Sequence, residues 1–233
     1  MRLAKYLALT GLCSRRAATR FIRDGRINID GRIANHIDTI SLDKDQRQCL
    51  QVILFDGEPI AAIESPHYYA FHKPVGIDSR LLPDNPASLI HFLPPTPRLY
   101  PVGRLDKDSH GLLLLTNDGE LTQRLMHPSF AHKKHYLVQV NRPLDDDFCQ
   151  LMAQGVSYKD ITTLPCTVAA TGEDRFSITL TQGLNRQIRR MSQALGYQVI
   201  DLKRVAIESL QLGDLAAGEM RPLTATEITA LKG

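Results

Sequence analysis

The sequence predicts an α+β protein in two parts: a small helical hairpin with β-strands at about residues 1–60, and a larger strand-rich part at about residues 66–233. Three observations carry this. Helical spacing fills the first twenty-five residues and gives way to a hairpin turn. Five later segments have strand patterns and alternate with shorter helical ones. Between the two parts, Glu58 to His67 contains Pro59, Pro66 and small residues, and the apolar pattern changes beyond it.

In the first part, Leu3, Tyr6 and Leu7 follow helical spacing up to Gly11, a C-terminal stop, and Ser14 is placed to cap a second helix. Ala17, Ala18, Phe21 and Ile22 form the apolar stripe of that helix, with Arg15, Arg16, Arg20 and Arg23 largely on its other side and Gly25 at its end. Ile27 and Ile29 then alternate with polar neighbours, Asp30-Gly31 is a two-residue hairpin turn, and Ile33 resumes the strand.

In the second part, strands are expected at Tyr68–Phe71, Leu112–Thr116, Tyr136–Val140, Phe176–Thr181 and Val199–Lys203. The run Leu112 to Leu115 reads as a fully buried strand, and Asn117-Asp118-Gly119 caps a helix through Leu121 and Leu125. Five prolines between Leu82 and Pro97 rule out one regular element there, although Ser88 to Leu93 fits a short helix. Asn185 to Leu195 has helical spacing, with Ile188, Met191 and Leu195 on one stripe and Arg186, Arg189, Arg190 and Gln193 on the other; Gly196 stops it. Thr224-Ala225-Thr226-Glu227 is a capping box for a last helix through Ile228 and Leu231.

Composition excludes several classes. With 43% hydrophobic and 23% charged residues the chain is globular in type. No apolar run approaches the roughly 18 residues of a membrane span, and the N-terminus lacks a signal-peptide core, so a cytoplasmic protein is expected. Cys13, Cys49, Cys149 and Cys166 stand far apart, without zinc-ligand spacing or a disulfide framework. The net charge of +3 is uneven: residues 1–33 hold eight basic and two acidic residues, a net +6, and the other 200 carry −3. That asymmetry fits either a phosphate-rich partner or a solvated basic surface.

Gly103-Arg104-Leu105-Asp106-Lys107-Asp108-Ser109-His110-Gly111 sends two aspartates, a lysine and a serine into the buried leucine strand. On residue chemistry alone this is equally a catalytic or binding loop and an ordinary polar turn. Tyr136 likewise reads as core or as a platform for a stacked base, and Leu202 as a pocket wall or a plain buried strand residue. Three arginines on one helix face repel unless anions neutralise them, yet an isolated helix of this kind is usually solvated.

Two resemblances bear on these alternatives. Arg2-Leu3-Ala4-Lys5-Tyr6, Ser14-Arg15-Arg16, Ile22, Gly25, Ile27 and Asp30-Gly31 resemble the S4 RNA-binding domain. Downstream the chain departs from it, with Leu42-Asp43-Lys44-Asp45-Gln46 where that domain usually has a Pro-Gly-Asp turn. Four ordered segments, Lys73-Pro74-Val75-Gly76, Gly103–Gly119, Lys134-His135-Tyr136-Leu137-Val138 and Gly183–Met191, resemble the ribosomal RNA pseudouridine synthases of the RsuA type, nearest the RluF branch that acts on large-subunit RNA. A second departure lies at Val205-Ala206-Ile207-Glu208, where the family commonly has a basic residue and Ile-Gly.

The resemblance implies a catalytic domain with a mixed, largely antiparallel sheet and surrounding helices. It implies isomerisation of uridine to pseudouridine: the N1–C1′ bond is cut, the base turns, and C5 is joined to C1′, without cofactor or metal. Asp106 is then the catalytic carboxylate, by attack on the sugar or base or by removing a sugar proton. Arg189 is its expected cationic partner, and Arg104, Tyr136 and Leu202 hold the substrate nucleotide. Arg186 and Arg190 are expected on RNA phosphates or internal carboxylates, and Arg2, Lys5, Arg15, Arg16 and Arg23 on RNA. The implied partner is ribosomal RNA, with modification of a transfer RNA left open, and the chain is expected to be a monomer. An S4-containing assembly factor that only binds RNA is the competing expectation.

Overall fold

The computed structural model describes residues 1–45 and 49–233; Gln46, the last residue of the first departure above, lies outside them. Contacts divide the chain into two units, Met1–His67 with Pro94–Leu99, and Tyr68–Leu93 with Tyr100–Gly233. No helix among the described residues is long and apolar enough to cross a membrane.

In the first unit, α1 (Leu3–Leu9) ends before Gly11, and α2 (Arg15–Arg23) opens on Ser14, whose hydroxyl accepts the Ala17 N–H at 3.1 Å. Their apolar stripes meet the short strands β1 (Ile27–Ile29), β2 (Arg32–Ile33), β3 (Ile53–Phe55) and β4 (Glu58–Pro59) in a core of Leu3, Tyr6, Leu7, Ala18, Ile22, Ile27, Ile29 and Ile53. Asp30 and Gly31 both have positive φ, 49° and 82°, as the tight β1–β2 turn requires. Arg26 lies 4.6 Å over the rings of both Phe21 and Phe55 and bonds Asp56. Because the stripe is buried, Arg15, Arg16, Arg20 and Arg23 are left exposed along α2.

The second unit contains, in order, β5 (Tyr68–Lys73), β6 (Tyr100–Pro101), β7 (His110–Thr116), α3 (Gly119–Met126), β8 (Lys134–Val140), α4 (Phe148–Ala153), β9 (Ser157–Tyr158) and β10 (Ile161–Thr162). It continues with β11 (Thr167–Gly172), β12 (Arg175–Leu180), α5 (Gln187–Ala194), β13 (Val199–Ile207), β14 (Leu210–Gln211), β15 (Met220–Pro222) and α6 (Ala225–Lys232). A nine-stranded sheet runs β11-β12-β8-β13-β7-β5-β15, with β14 beside β13 and β6 beside β7. β13 and β7 are parallel and the other pairs antiparallel, so the sheet is mixed and largely antiparallel, as expected.

The expected caps form. Asp118 accepts from Glu120 and Leu121 N–H to start α3, and Thr224 and Glu227 bond reciprocally to start α6. Ser88 caps a single 3-10 turn, Leu89–Phe92. The predicted helix at Asn185–Leu195 is shorter than its spacing suggested. Gln187 accepts the Leu184 N–H on its side-chain oxygen at 3.1 Å, and Arg186 takes a left-handed conformation (φ 52°) ahead of the first turn, so it leaves the face shared by Arg189 and Gln193.

The registers that matter lie at the centre of the sheet. Arg204 of β13 stands opposite Tyr136 of β8 and Leu202 opposite Val138, which puts Tyr136, Leu202 and Arg204 on one face. Across the parallel pair, Arg204 registers with Gly111 of β7. At Gly111 φ is +107°, and a Cβ there would lie 2.2 Å from the Arg204 carbonyl oxygen, so β7 approaches β13 closely only because this residue is glycine. Gly111→Ala is therefore expected to cost more than about 3 kcal/mol, because backbone strain adds to a backbone clash. Chemical denaturation of the variant measures this, and a loss below about 1 kcal/mol would contradict the close approach.

Arg221 and Glu227 form an ion pair that holds the Glu227 carboxyl down to about 2, below its ordinary 4.5, chiefly through the side-chain bond from Arg221. Above pH 4.5 the pair contributes fully; as pH falls toward about 2 the unfolded chain binds a proton that the folded chain refuses, and the contribution is lost. Glu227→Gln keeps a capping oxygen and removes the charge. It is expected to lower stability by about 1 kcal/mol at neutral pH, with the difference from the parent vanishing on acidification. Unfolding curves at several pH values check this.

Candidate active site

A cleft of about 440 Å³ opens in the second unit. Its lining includes Arg104, Asp106, Tyr136, Arg186 and Leu202, which the sequence proposed as site residues from four distant segments. Arg189 and Arg190 stand outside the lining, and Arg2, Lys5, Arg15, Arg16 and Arg23 belong to the first unit.

Asp106 sits in the loop between β6 and β7, and its position is fixed from behind. The Ser79 hydroxyl, 1% exposed, donates to the Leu105 carbonyl at 2.7 Å and accepts the Leu105 N–H at 3.1 Å. The Asp106 carbonyl accepts from Ser109 N–H at 3.1 Å, and Lys107 carbonyl from Gly76 N–H at 2.7 Å. Loop, KPVG segment and Ser79 are thereby one hydrogen-bonded unit, leaving the Asp106 carboxylate about one-third exposed toward the cleft.

The arginines distribute differently from the expectation. Arg186 forms a two-armed bond to Asp108, at 3.0 and 2.7 Å, and stands 3.9 Å from the Asp106 carboxylate. Arg189 does not take Asp106 as its direct partner. Its guanidinium donates to the Val199 carbonyl (3.1 Å), the Asp108 carbonyl (2.8 Å) and the Ser109 hydroxyl (3.3 Å), with Nε 3.4 Å from the Asp108 carboxylate. These backbone bonds commit Arg189 to the far side of the loop. Arg190 donates to the Asn185 side chain at 2.9 Å.

The bond from Arg186, supported by the nearby Arg189 charge, holds the Asp108 carboxyl below the usual range, while burial pushes Arg189 downward. Lys73 is fully buried, donates to the Pro74 and Ile77 carbonyls at 2.8 and 2.7 Å, and is pulled down to about 8 by burial, against the attraction of Asp108, Asp106 and Asp78.

Residue patterns alone missed three contributors. Ser79 had no signal of its own. Lys134 lines the cleft two residues before Tyr136, on the same face of β8, although it reads as a basic strand entry. Arg204 lines it two residues after Leu202, and period-two counting from Leu202 would have found it. Counted over the described lining, six basic side chains face two acidic ones, Asp78 and Asp106. Such a cleft suits a polyanion with a reactive carboxylate at its centre. Among the described residues no group of three or more His, Cys, Asp or Glu is arranged to hold a metal.

A helical-hairpin unit with an arginine row precedes, along the chain, a sheet-floored cleft carrying a carboxylate, a tyrosine and excess positive charge, a combination suited to an enzyme whose substrate is a polyanion. Comparison with known proteins is specific. A family profile for RNA pseudouridylate synthase matches residues 67–194, and one for the S4 domain matches residues 1–40. The dual-specificity RNA pseudouridine synthase RluF of Escherichia coli O6:H1 is 39% identical over 99% of this chain and 78% of its own length. The ribosomal large subunit pseudouridine synthase B of Bacillus subtilis is 33% identical over 99% of this chain and 95% of its own, and the ribosomal small subunit pseudouridine synthase A of Yersinia pestis 36% over 99% and 98%. A crystal structure of a pseudouridylate synthase superposes with a TM-score of 0.71 at 31% identity, covering 99% of both chains. The chain belongs to the RNA pseudouridylate synthase family and is an RNA pseudouridine synthase carrying an S4 domain.

The network yields a graded expectation for the three arginines. Arg186→Leu and Arg189→Leu, which each strip a cation from Asp108 beside Asp106, should lower the single-turnover rate by about 10²-fold, and Arg190→Leu by no more than about three-fold. Equal losses for all three would make them undifferentiated phosphate contacts.

Proposed function

We propose that this enzyme isomerises one uridine of ribosomal RNA, in the large subunit, to pseudouridine, with Asp106 as its catalytic carboxylate. The observation that carries the reading is the cleft itself: Asp106 opens into the same space as Tyr136 and Leu202, with basic side chains around it. A uridine flipped from its helix would stack on the Tyr136 ring against Leu202, with Arg104 beside it, while the Asp106 carboxylate faces the sugar. The N1–C1′ pair leaves on the base, C5 closes on C1′, C5 gives up a proton and N1 takes one; no electrons enter or leave. A protein that only clamped RNA would have no use for a carboxylate held in a cationic cleft. In this reading the enzyme works as a cytoplasmic monomer. A second RNA substrate, for which transfer RNA is the candidate tested below, is kept open because the Escherichia coli relative is described as dual-specificity.

Carbodiimide labelling and reverse transcription of ribosomal and transfer RNA, from cells with and without the gene, test the substrate. A single gene-dependent stop in large-subunit RNA is expected, and no gene-dependent stop in any ribosomal RNA would overturn the proposal. Asp106→Asn keeps the shape and removes the charge, so product formation should fall by at least about 10⁴-fold while RNA affinity persists. Turnover near the parent rate would remove Asp106 from its role.

The first unit is assigned to RNA backbone binding. Arg15→Ala with Arg16→Ala should weaken binding and reduce the magnitude of the slope of log affinity against log salt by about 0.7–0.9 per lost contact, leaving the rate at saturating RNA intact. An unchanged slope with a collapsed saturating rate would contradict that division of labour.

A further inference from the structure

Arg204 is 3% exposed, yet only part of its guanidinium is engaged. Nε donates to the Leu112 carbonyl at 2.7 Å, whereas Nη2 has no hydrogen-bond partner among the described residues. Burying a guanidinium with a spare donor is costly, and a purely structural strap between β13 and β7 would need no second cation beside it. Lys134 is that second cation. It is half-buried, donates to the His132 carbonyl at 3.1 Å, and is pushed down by burial and then by the charge of Arg204. Glu208, the carboxylate nearest in influence, is already bonded by His132 and by the Lys133 N–H.

Both cations line the cleft and flank the two side chains assigned to the base: Arg204 registers directly opposite Tyr136 and follows Leu202 by two, and Lys134 precedes Tyr136 by two. A uracil ring between Tyr136 and Leu202 would have a polar edge beside them. We infer that Arg204 and Lys134 form a cationic wall that takes up the negative charge of the base when its bond to the sugar breaks, an inference that rests on the uridine-isomerisation reading above.

The charge balance requires such a group. When N1–C1′ breaks, the electron pair stays on the base and spreads over N1, O2 and O4, while C1′ is left bonded to an Asp106 oxygen or, after a ribose proton passes to that carboxylate, unsaturated. In the second case the proton returns to the ribose as C5 attacks C1′. The C5 hydrogen then leaves as a proton, and N1 accepts one. Between these steps an anion sits in a water-poor cleft, where fixed cations are worth most. Lys73 is a third cation nearby, itself lowered in part by the charge of Arg204, but its donation to two carbonyls gives it a loop-holding role.

The test uses the full chain and a ribosomal RNA fragment centred on the mapped uridine, made with uridine or with 5-fluorouridine at that position. Fluorine withdraws electrons and makes the departing base anion more stable by itself. Single-turnover loss of the N1-linked nucleoside is followed by nuclease digestion and mass spectrometry. Arg204→Gln and Lys134→Gln should each slow the uridine substrate by about 10²-fold with RNA affinity nearly unchanged, and slow the 5-fluorouridine substrate by less than about ten-fold. Arg204→Lys and Lys134→Arg, which retain charge, should recover part of the rate. Equal defects on both substrates, or a defect confined to RNA affinity, would overturn the inference. If Arg204→Gln does not fold, Lys134→Gln at the strand entry decides the matter by the same comparison. A parent enzyme that converts neither substrate would overturn the underlying reading, and this inference with it.

Discussion

Asp108 accepts both arms of Arg186 and lies 3.4 Å from Arg189, two residues along the chain from the carboxylate assigned to catalysis. The arrangement of the site depends on that division. Arg186, 3.9 Å from the Asp106 carboxylate, would otherwise be free to close onto it, whereas Arg189 is held by the Val199 and Asp108 carbonyls as well. Asp108 engages Arg186 within the cleft lining and lies beside Arg189, so Asp106 keeps their electrostatic support, with Arg186 still 3.9 Å away, while its carboxylate faces the cleft. Exposed pairs of this kind contribute little to stability. Their value here is geometric.

The sheet supplies the rest of the geometry. Gly111 lets β7 approach β13 within backbone contact, and the loop bearing Asp106 and Asp108 leads directly into β7. The β8–β13 register then places Tyr136, Leu202 and Arg204 on one face without further design. Ser79 closes the assembly by bonding both backbone groups of Leu105. A short loop with two aspartates becomes a defined site because the Gly76–Ser79 stretch and Arg189 of α5 both bond its backbone.

Much of this was legible in the sequence where the signal is local. Period-two alternation at Phe176, Ile178 and Leu180, the leucine run, the caps at Ser14, Asp118 and Thr224 and the Asp30-Gly31 turn each state their own structure. The motif resemblance singled out Arg104, Asp106, Tyr136 and Arg186, with Leu202 named beyond the last motif, and all five line one cleft. What was not legible depends on long-range contact. Helical spacing placed Arg186 on the α5 face, but the Gln187 side-chain oxygen accepts the Leu184 N–H and the helix starts only at Gln187, one residue after Arg186. Spacing could not separate Asp106 from Asp108 as the direct neighbour of Arg189; the guanidinium is bonded to the Val199 and Asp108 carbonyls and the Ser109 hydroxyl, beside the Asp108 carboxylate. The inclusion of Pro94–Leu99 with the first unit, and the cleft-facing positions of Lys134 and Arg204, likewise follow from packing.

The central claim is that Asp108 keeps Arg186 off Asp106, and the direct measurement is the single-turnover rate of Asp108→Asn at saturating RNA, with RNA affinity determined in parallel. The substitution preserves shape and removes the charge that engages Arg186 and Arg189. The expected result is a rate lowered by at least about ten-fold with affinity unchanged, because the Arg186 guanidinium, released from Asp108 and only 3.9 Å from the Asp106 carboxylate, turns onto it and misplaces it. A rate equal to that of the parent would show that Asp106 needs no such partition, and would contradict the central claim.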